Sequence, residues 1–268
     1  MTRFDSATAV TRTGDGHYTA ELDPGYLIGS ALNGGYLMAV LQRAALAEST
    51  HPHAVSSSYH FLRPGAPGPA DIELAVRKTG RTVTTVQVTL SQAGKELVTG
   101  LVATATLDPA ATPRHETARA DIPPIERCHR FDPRADRSAD MGFPDRVDQF
   151  YAPRTYAALS GSDPAAEPEI TGHLAPSEAD GGAVEDPSLF LPLAVDALPP
   201  VVTVLDSWRW APTVELTWHM RAVPEPGPLA FRSRADLVSD GWFDETVDLW
   251  DVKGRLVAQS RQLARIGR

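Results

Sequence analysis

With 268 residues the chain is long for one small domain and comfortable for two of roughly 100 to 150 residues each. Its 42% hydrophobic and 22% charged residues supply a core and exclude disorder of the whole, while a net charge of −9 excludes the generally basic surface that nucleic acid or an anionic membrane requires. The single cysteine, Cys128, excludes an internal disulfide and fits a reducing compartment. The start, Met1-Thr-Arg-Phe-Asp, lacks the apolar run of a secretory signal, and no stretch reaches the roughly 18 apolar residues of a membrane span, so the expected location is cytoplasmic. Lysine occurs only at 78, 95 and 253, an arginine bias associated with GC-rich bacterial genomes.

In chain order, His17 to Asp23 reads as a short strand, and Asn33-Gly34-Gly35 opens a helix running to about Glu48. Leu37, Val40, Leu41, Ala44 and Ala45 form one apolar stripe of helical period, which predicts packing against a sheet. Four strands are expected at Val55 to Leu62, Asp71 to Lys78, Arg81 to Leu90 and Glu96 to Leu107, from alternation such as Ile72, Leu74, Val76. Residues 1–108 then make one unit. Residues 109–141, rich in proline and charge, read as a linker, and 142–268 as a second unit. In the latter, strands are expected at Gln149 to Arg154 and Glu169 to Leu174. A helix from about Leu189 to Leu198, stopped by Pro199-Pro200, precedes four further strands ending at Ile266.

The second unit is an altered copy of the first, displaced by 159 residues. Tyr59-His60-Phe61 returns as Trp218-His219-Met220, Pro67-Gly68-Pro69 as Pro226-Gly227-Pro228, and Leu97-Val98 as Leu256-Val257. The hairpin turn Ala93-Gly94-Lys95 returns as Val252-Lys253-Gly254, with glycine free to adopt positive φ. Shared positions, His60 and His219 among them, are expected to be scaffold that helps the strands pack. At the same displacement Ala54 becomes Thr213 and Ala103 becomes Gln262, so two methyl groups face two hydrogen-bonding side chains. That difference points to chemistry in the second copy and to its loss in the first.

A helix introduced by Gly-Gly, a strand ending Phe61-Leu62-Arg63-Pro64-Gly65 and three meandering strands, all repeated, resemble the type II acyl-CoA thioesterases. The resemblance implies an α+β fold, a double hotdog in which each unit wraps a long antiparallel sheet on one main helix. It implies an acyl-CoA substrate and a water-activating set that falls on Asp196, on the second helix, with Thr213 and Gln262 on later strands. Asp196 would take the water's proton, which needs burial, because an unperturbed Asp with a pKa of about 3.9 is a weak base. Thr213 and Gln262 are neutral and can aim the water without competing for its proton. Gly34 and Gly35, at a helix N-terminus between the units, are candidates for the developing oxyanion and for substrate binding.

The phosphates of coenzyme A call for local cations, for which Arg63, Arg81 and Arg261 are the candidates, with Arg77, Lys78, Arg255 and Arg265 behind them. No Gly-x-Ser-x-Gly elbow, zinc spacing or dinucleotide fingerprint occurs, so hydrolysis without a covalent intermediate, a metal or a redox cofactor is expected. Cys128 reads as a bystander, and no nucleic-acid or membrane partner is expected. Trp208 and Trp210 follow closely enough to wall a pocket. A homodimer or higher homo-oligomer is left open by the resemblance. Three rivals stand beside hydrolysis: a hotdog enoyl-thioester hydratase or dehydratase, which would need a His beside the Asp, a non-catalytic acyl-thioester-binding protein, and an inactive duplicate kept for assembly.

Overall fold

The computed structural model describes residues 1–131, 143–162, 167–205 and 210–267. Its first half runs α1 (Arg3–Ala7), β1 (Thr11–Gly14), β2 (His17–Leu22), β3 (Leu27–Ile28), β4 (Ala31–Leu32), α2 (Gly34–Ala47), β5 (His53–Phe61), β6 (Gly68–Lys78), β7 (Thr84–Gln92) and β8 (Lys95–Ala105). The second half runs β9 (His129–Arg130), β10 (Val147–Tyr151), α3 (Pro153–Leu159), β11 (Glu169–Pro176), α4 (Pro187–Ala194), β12 (Thr213–Met220), β13 (Leu229–Arg234), β14 (Val238–Ser239), β15 (Trp242–Trp250) and β16 (Leu256–Arg265). This is the double hotdog, two strand meanders each wrapped on one main helix.

The two meanders join into one sheet in the order β1-β2-β6-β7-β8-β5-β12-β16-β15-β13-β11-β10-β9, with β14 on β15. The seam is the antiparallel pair β5·β12, where Tyr59 stands opposite Leu216 and Ser57 opposite Trp218. Tyr59 and Trp218, the repeated aromatic position, are fully buried there. Their neighbours His60 and His219 point to the exposed outer face, because successive strand residues alternate sides. The histidines are therefore not part of the strand packing that the repeat suggested; the aromatic residues are.

Helix α2 is buried on nearly every side, not along one stripe: Tyr36 and Met38 are as inaccessible as Leu37, Val40 and Leu41. The concave sheet covers one side and α4 lies across the other, so positions outside the predicted stripe meet a partner too. Each such side chain contributes about 1.5–3 kcal/mol by leaving water. Asn33 caps α2 by accepting from the Tyr36 amide at 2.9 Å.

Three boundaries differ from expectation. Helix α4 starts earlier, at Pro187 behind an Asp186 cap that accepts from the Ser188 amide, and ends at Ala194. Asp196 thus lies just beyond the helix rather than on it, and Pro199-Pro200 introduce a separate 3-10 turn over Val201–Val204. The strand expected to reach Arg154 ends at Tyr151, since Pro153 suits the first turn of α3. The described part of the expected linker lies on the second unit: Glu116 Oε1 accepts from the Leu256 amide, His173 Nε2 bonds the Pro123 carbonyl, and β9 pairs with β10. The expected boundary at 141 and 142 falls outside the described residues.

Candidate active site

A cavity of about 500 Å³ opens between the N-terminus of α2 and the second unit, and Asn33, Gly34, Asp196, Thr213 and Gln262 all line it. Leu37, Phe61, Phe143 and Phe243 give it an apolar wall. The structure thus gathers the three residues of the second copy that the repeat and the resemblance selected.

Asp196 is held by the opposite unit. Its Oδ2 accepts from the Gly35 amide at 2.6 Å, and Asn33 Nδ2 donates to the Asp196 carbonyl at 2.9 Å and to Oδ2 at 3.3 Å. Among the described residues Oδ1 has no hydrogen-bond partner, so one carboxylate oxygen is anchored and the other is available. Burial lifts this carboxyl to about 7, against the lowering effect of the Gly35 amide and Asn33. The paired glycines make the approach feasible. A Cβ on Gly34 would stand 2.9 Å from Asp196 Oδ2, and one on Gly35 would stand 2.8 Å from the Pro192 carbonyl oxygen.

This geometry corrects the expected use of Gly35. Its amide is engaged by Asp196 and is not free to meet an oxyanion, whereas Gly34 lines the cavity directly. On the far wall Thr213 Oγ1 donates to Gln262 Oε1 at 2.6 Å, which fixes the amide so that its Nε2 hydrogens point away from Thr213.

Strand register also corrects the repeat. Gln262 faces Leu216 on β12 and Glu245 on β15. In the first unit, Ser57 and Val86 face Val102. With Ser57 matching Leu216 at the 159 displacement, the counterpart of Gln262 is Val102 and not Ala103, one residue out of step. The extra residue lies in the β15–β16 hairpin, where eight residues separate Leu249 from Ala258 and seven separate Leu90 from Val98. Thr213 and Ala54 remain equivalent, each immediately before a bulge, and each paired with a matching residue, Ala264 and Thr104. The polar-for-apolar contrast between the copies is therefore preserved. Glu245 in place of Val86 extends it, and sequence reading passed over that position.

The equivalent corner of the first unit is plugged. Arg43 stands as far beyond the Asn33 cap as Asp196 stands beyond the Asp186 cap. It bonds Asp5 and Thr8, with Phe4 of α1 packed beneath its guanidinium and against Phe190. Helix α1 thus packs on this corner through Phe4 and Asp5, and Ala54, the counterpart of Thr213, is buried.

Of the expected phosphate contacts, only Arg63 lines the cavity, where its Nη1 also donates to the Glu96 carbonyl. Arg261 neighbours the inward Gln262, so it points to the outer face and pairs with Asp244. Arg81 lies in the β6–β7 turn beside Gly80, whose carbonyl His51 bonds beyond the other end of α2. That is a helix length, about 20 Å, from the cavity. Trp210 lines the cavity, while Trp208 lies outside the described residues. No histidine lines the cavity among the described residues, which removes the partner a hydratase would need. Among them no group of three or more His, Cys, Asp or Glu side chains is placed to hold a metal, and no helix is long and apolar enough to cross a membrane.

A double hotdog with one composite carboxylate site is the class these features define. The comparisons narrow it: residues 22–107 match the family model for the acyl-CoA thioesterase N-terminal domain, and residues 125–266 match that for the acyl-CoA thioesterase C-terminal domain. The chain belongs to the acyl-CoA thioesterase family, a family of thioester hydrolases. It is similar to a Thermobifida fusca protein, named only provisionally as a thioesterase II, with 64% identity, 100% of this chain and 98% of that one covered, and a TM-score of 0.95. A hot dog protein of unknown function from Alicyclobacillus acidocaldarius shares the fold at 22% identity, with coverage of 100% and 99% and a TM-score of 0.86. An uncharacterized Mycobacterium tuberculosis protein is 28% identical over 93% of this chain and 90% of its own length.

Proposed function

We propose that the chain hydrolyses an acyl-CoA thioester to the free acid and coenzyme A, with Asp196 as general base and no covalent intermediate. The observation that carries this reading is the Asp196 carboxylate, pinned through Oδ2 to the Gly35 amide while Oδ1 is left to act beside an apolar cavity. As water oxygen bonds the acyl carbon, its proton passes to Oδ1. When the carbon–sulfur bond breaks, that proton is delivered to the departing thiolate. The Thr213 hydroxyl, already donating to Gln262, offers lone pairs to the water, and a Gln262 Nε2 hydrogen aims at the water or the acyl oxygen. Gly34, on the cavity wall at the positive end of α2, supports the oxyanion. The apolar wall takes a fatty or related acyl group, and Arg63 at the cavity takes a coenzyme A phosphate.

The test is a hydrolysis screen over acyl-CoAs of varied chain length on wild type and Asp196→Asn together. We expect wild-type turnover and a loss of roughly 10²- to 10⁴-fold in the variant. Equal turnover in both would remove Asp196 from the reaction. Binding without hydrolysis at every length would make the protein a thioester-binding module instead.

A further inference from the structure

A second buried carboxylate stands behind the site and the reaction above does not use it. Glu245 occupies an inward position on β15, between Phe243 and Val247, where alternation calls for an apolar side chain, and it is 2% exposed. Its Oε2 accepts from the Val201 amide at 2.9 Å, the first residue of the 3-10 turn that follows Asp196 and whose preceding residue, Pro200, supplies no side-chain cap. Across the strand pair it faces Gln262 directly, close enough for that amide to act on its ionisation. Glu245 does not line the cavity, whereas Gln262 does.

From this juxtaposition we infer that Glu245 is a positioning residue, tying the segment that follows Asp196 to the Gln262 side chain and holding that amide in its working orientation. Thr213 takes one end of the amide by donating to Oε1, and in the inferred arrangement the facing carboxylate takes a hydrogen from Nε2. Gln262 is thereby clamped from both sides, with one Nε2 hydrogen left for the cavity. The first unit supplies the contrast: the facing pair there is Val86 and Val102, apolar on both sides, in the half whose corner α1 fills. A packed apolar pair satisfies the fold at this register, so the buried Glu245–Gln262 pair is not required for strand pairing as such. Burial holds the Glu245 carboxyl at about 7, with Val201, Ser233 and Gln262 lowering it and the Asp196 charge raising it. Tyr151 also faces it electrostatically.

This inference rests on the proposed hydrolysis, and its test separates the two. With the acyl-CoA that wild type turns over fastest, Glu245→Gln is expected to lower kcat about 10- to 100-fold while KM stays within about twofold. Added to Gln262→Ala, it is expected to cause no further loss, since both changes remove one arrangement. Independently of turnover, the Gln262 side-chain amide resonances, assigned by their disappearance in Gln262→Ala, should shift in Glu245→Gln. Glu245→Val, which copies Val86, is the second variant should the first not fold. Wild-type kcat in Glu245→Gln, additive losses in the double variant, or unmoved Gln262 amide resonances would overturn the inference. If wild type cleaves no thioester, hydrolysis fails as the function, and the amide resonances still decide whether Glu245 holds Gln262.

Discussion

As the proposed base, Asp196 meets two opposing demands: a base must be ionised to act, and the burial that makes it basic at neutrality disfavours that ionisation. With its carboxyl at about 7, the ionised fraction rises through neutral pH. We expect kcat/KM to fall about tenfold per pH unit below roughly 7, and a profile flat from pH 5 to 8 would count against Asp196 as base. The same shift bears on stability. A carboxyl whose pKa rises on folding holds its proton more tightly in the native state, so its favourable contribution is complete below the unfolded value and is lost as pH rises from about 4 through about 7. Asp196→Asn should therefore be more thermostable than wild type by a margin growing from near zero at pH 4 to roughly 5 °C at pH 8. Melting curves across that range check it, and a margin independent of pH would contradict it. Gly35 is the counterpart on the other unit. Gly35→Ala forces a methyl against the Pro192 carbonyl and Asp196 Cβ, and should cost about 1–3 kcal/mol and most of the activity. Chemical denaturation and the hydrolysis assay read the two effects.

At the scale of elements, what could be read from the chain depended on how local its cause was. Helix α2 and the four strands after it announced themselves by period, and their observed limits lie within a few residues of expectation. Thr213 and Gln262 were reachable because a repeat and a resemblance both selected them, and Asp196 through the resemblance alone. The dependence of Asp196 on Asn33 and Gly35 was not, since those contacts span more than 160 residues and arise only where α2 crosses α4. Register was hidden for a similar reason: one extra hairpin residue shifts every later pairing, and a fixed displacement cannot see it. Glu245 did leave a signal, a charged residue at an inward phase of β15, which only burial makes meaningful. Helix α1 left almost none, being five residues long. It nevertheless carries Phe4 and Asp5 against Arg43. Phe4→Ala should destabilise by about 3–5 kcal/mol in urea unfolding, with the native-state kcat unchanged, because the plug is remote from Asp196.

At the scale of the whole molecule, the β5·β12 seam makes two hotdogs into one sheet, and the Asp196 carboxylate of one is anchored by the Gly35 amide of the other. In the proposed reaction one hotdog alone cannot hydrolyse, and with α1 packed on Arg43 at the corresponding corner, one active site per chain is the expected stoichiometry. The central claim, direct attack by water activated by Asp196, is tested most directly by a single turnover in oxygen-18 water, with enzyme in excess over acyl-CoA. Release of a free acid carrying one oxygen-18, with the Asp196 peptide unlabelled and no acyl-protein trapped on quenching, is the predicted result. Oxygen-18 in the Asp196 carboxylate, or a trapped acyl group on it, would contradict the account.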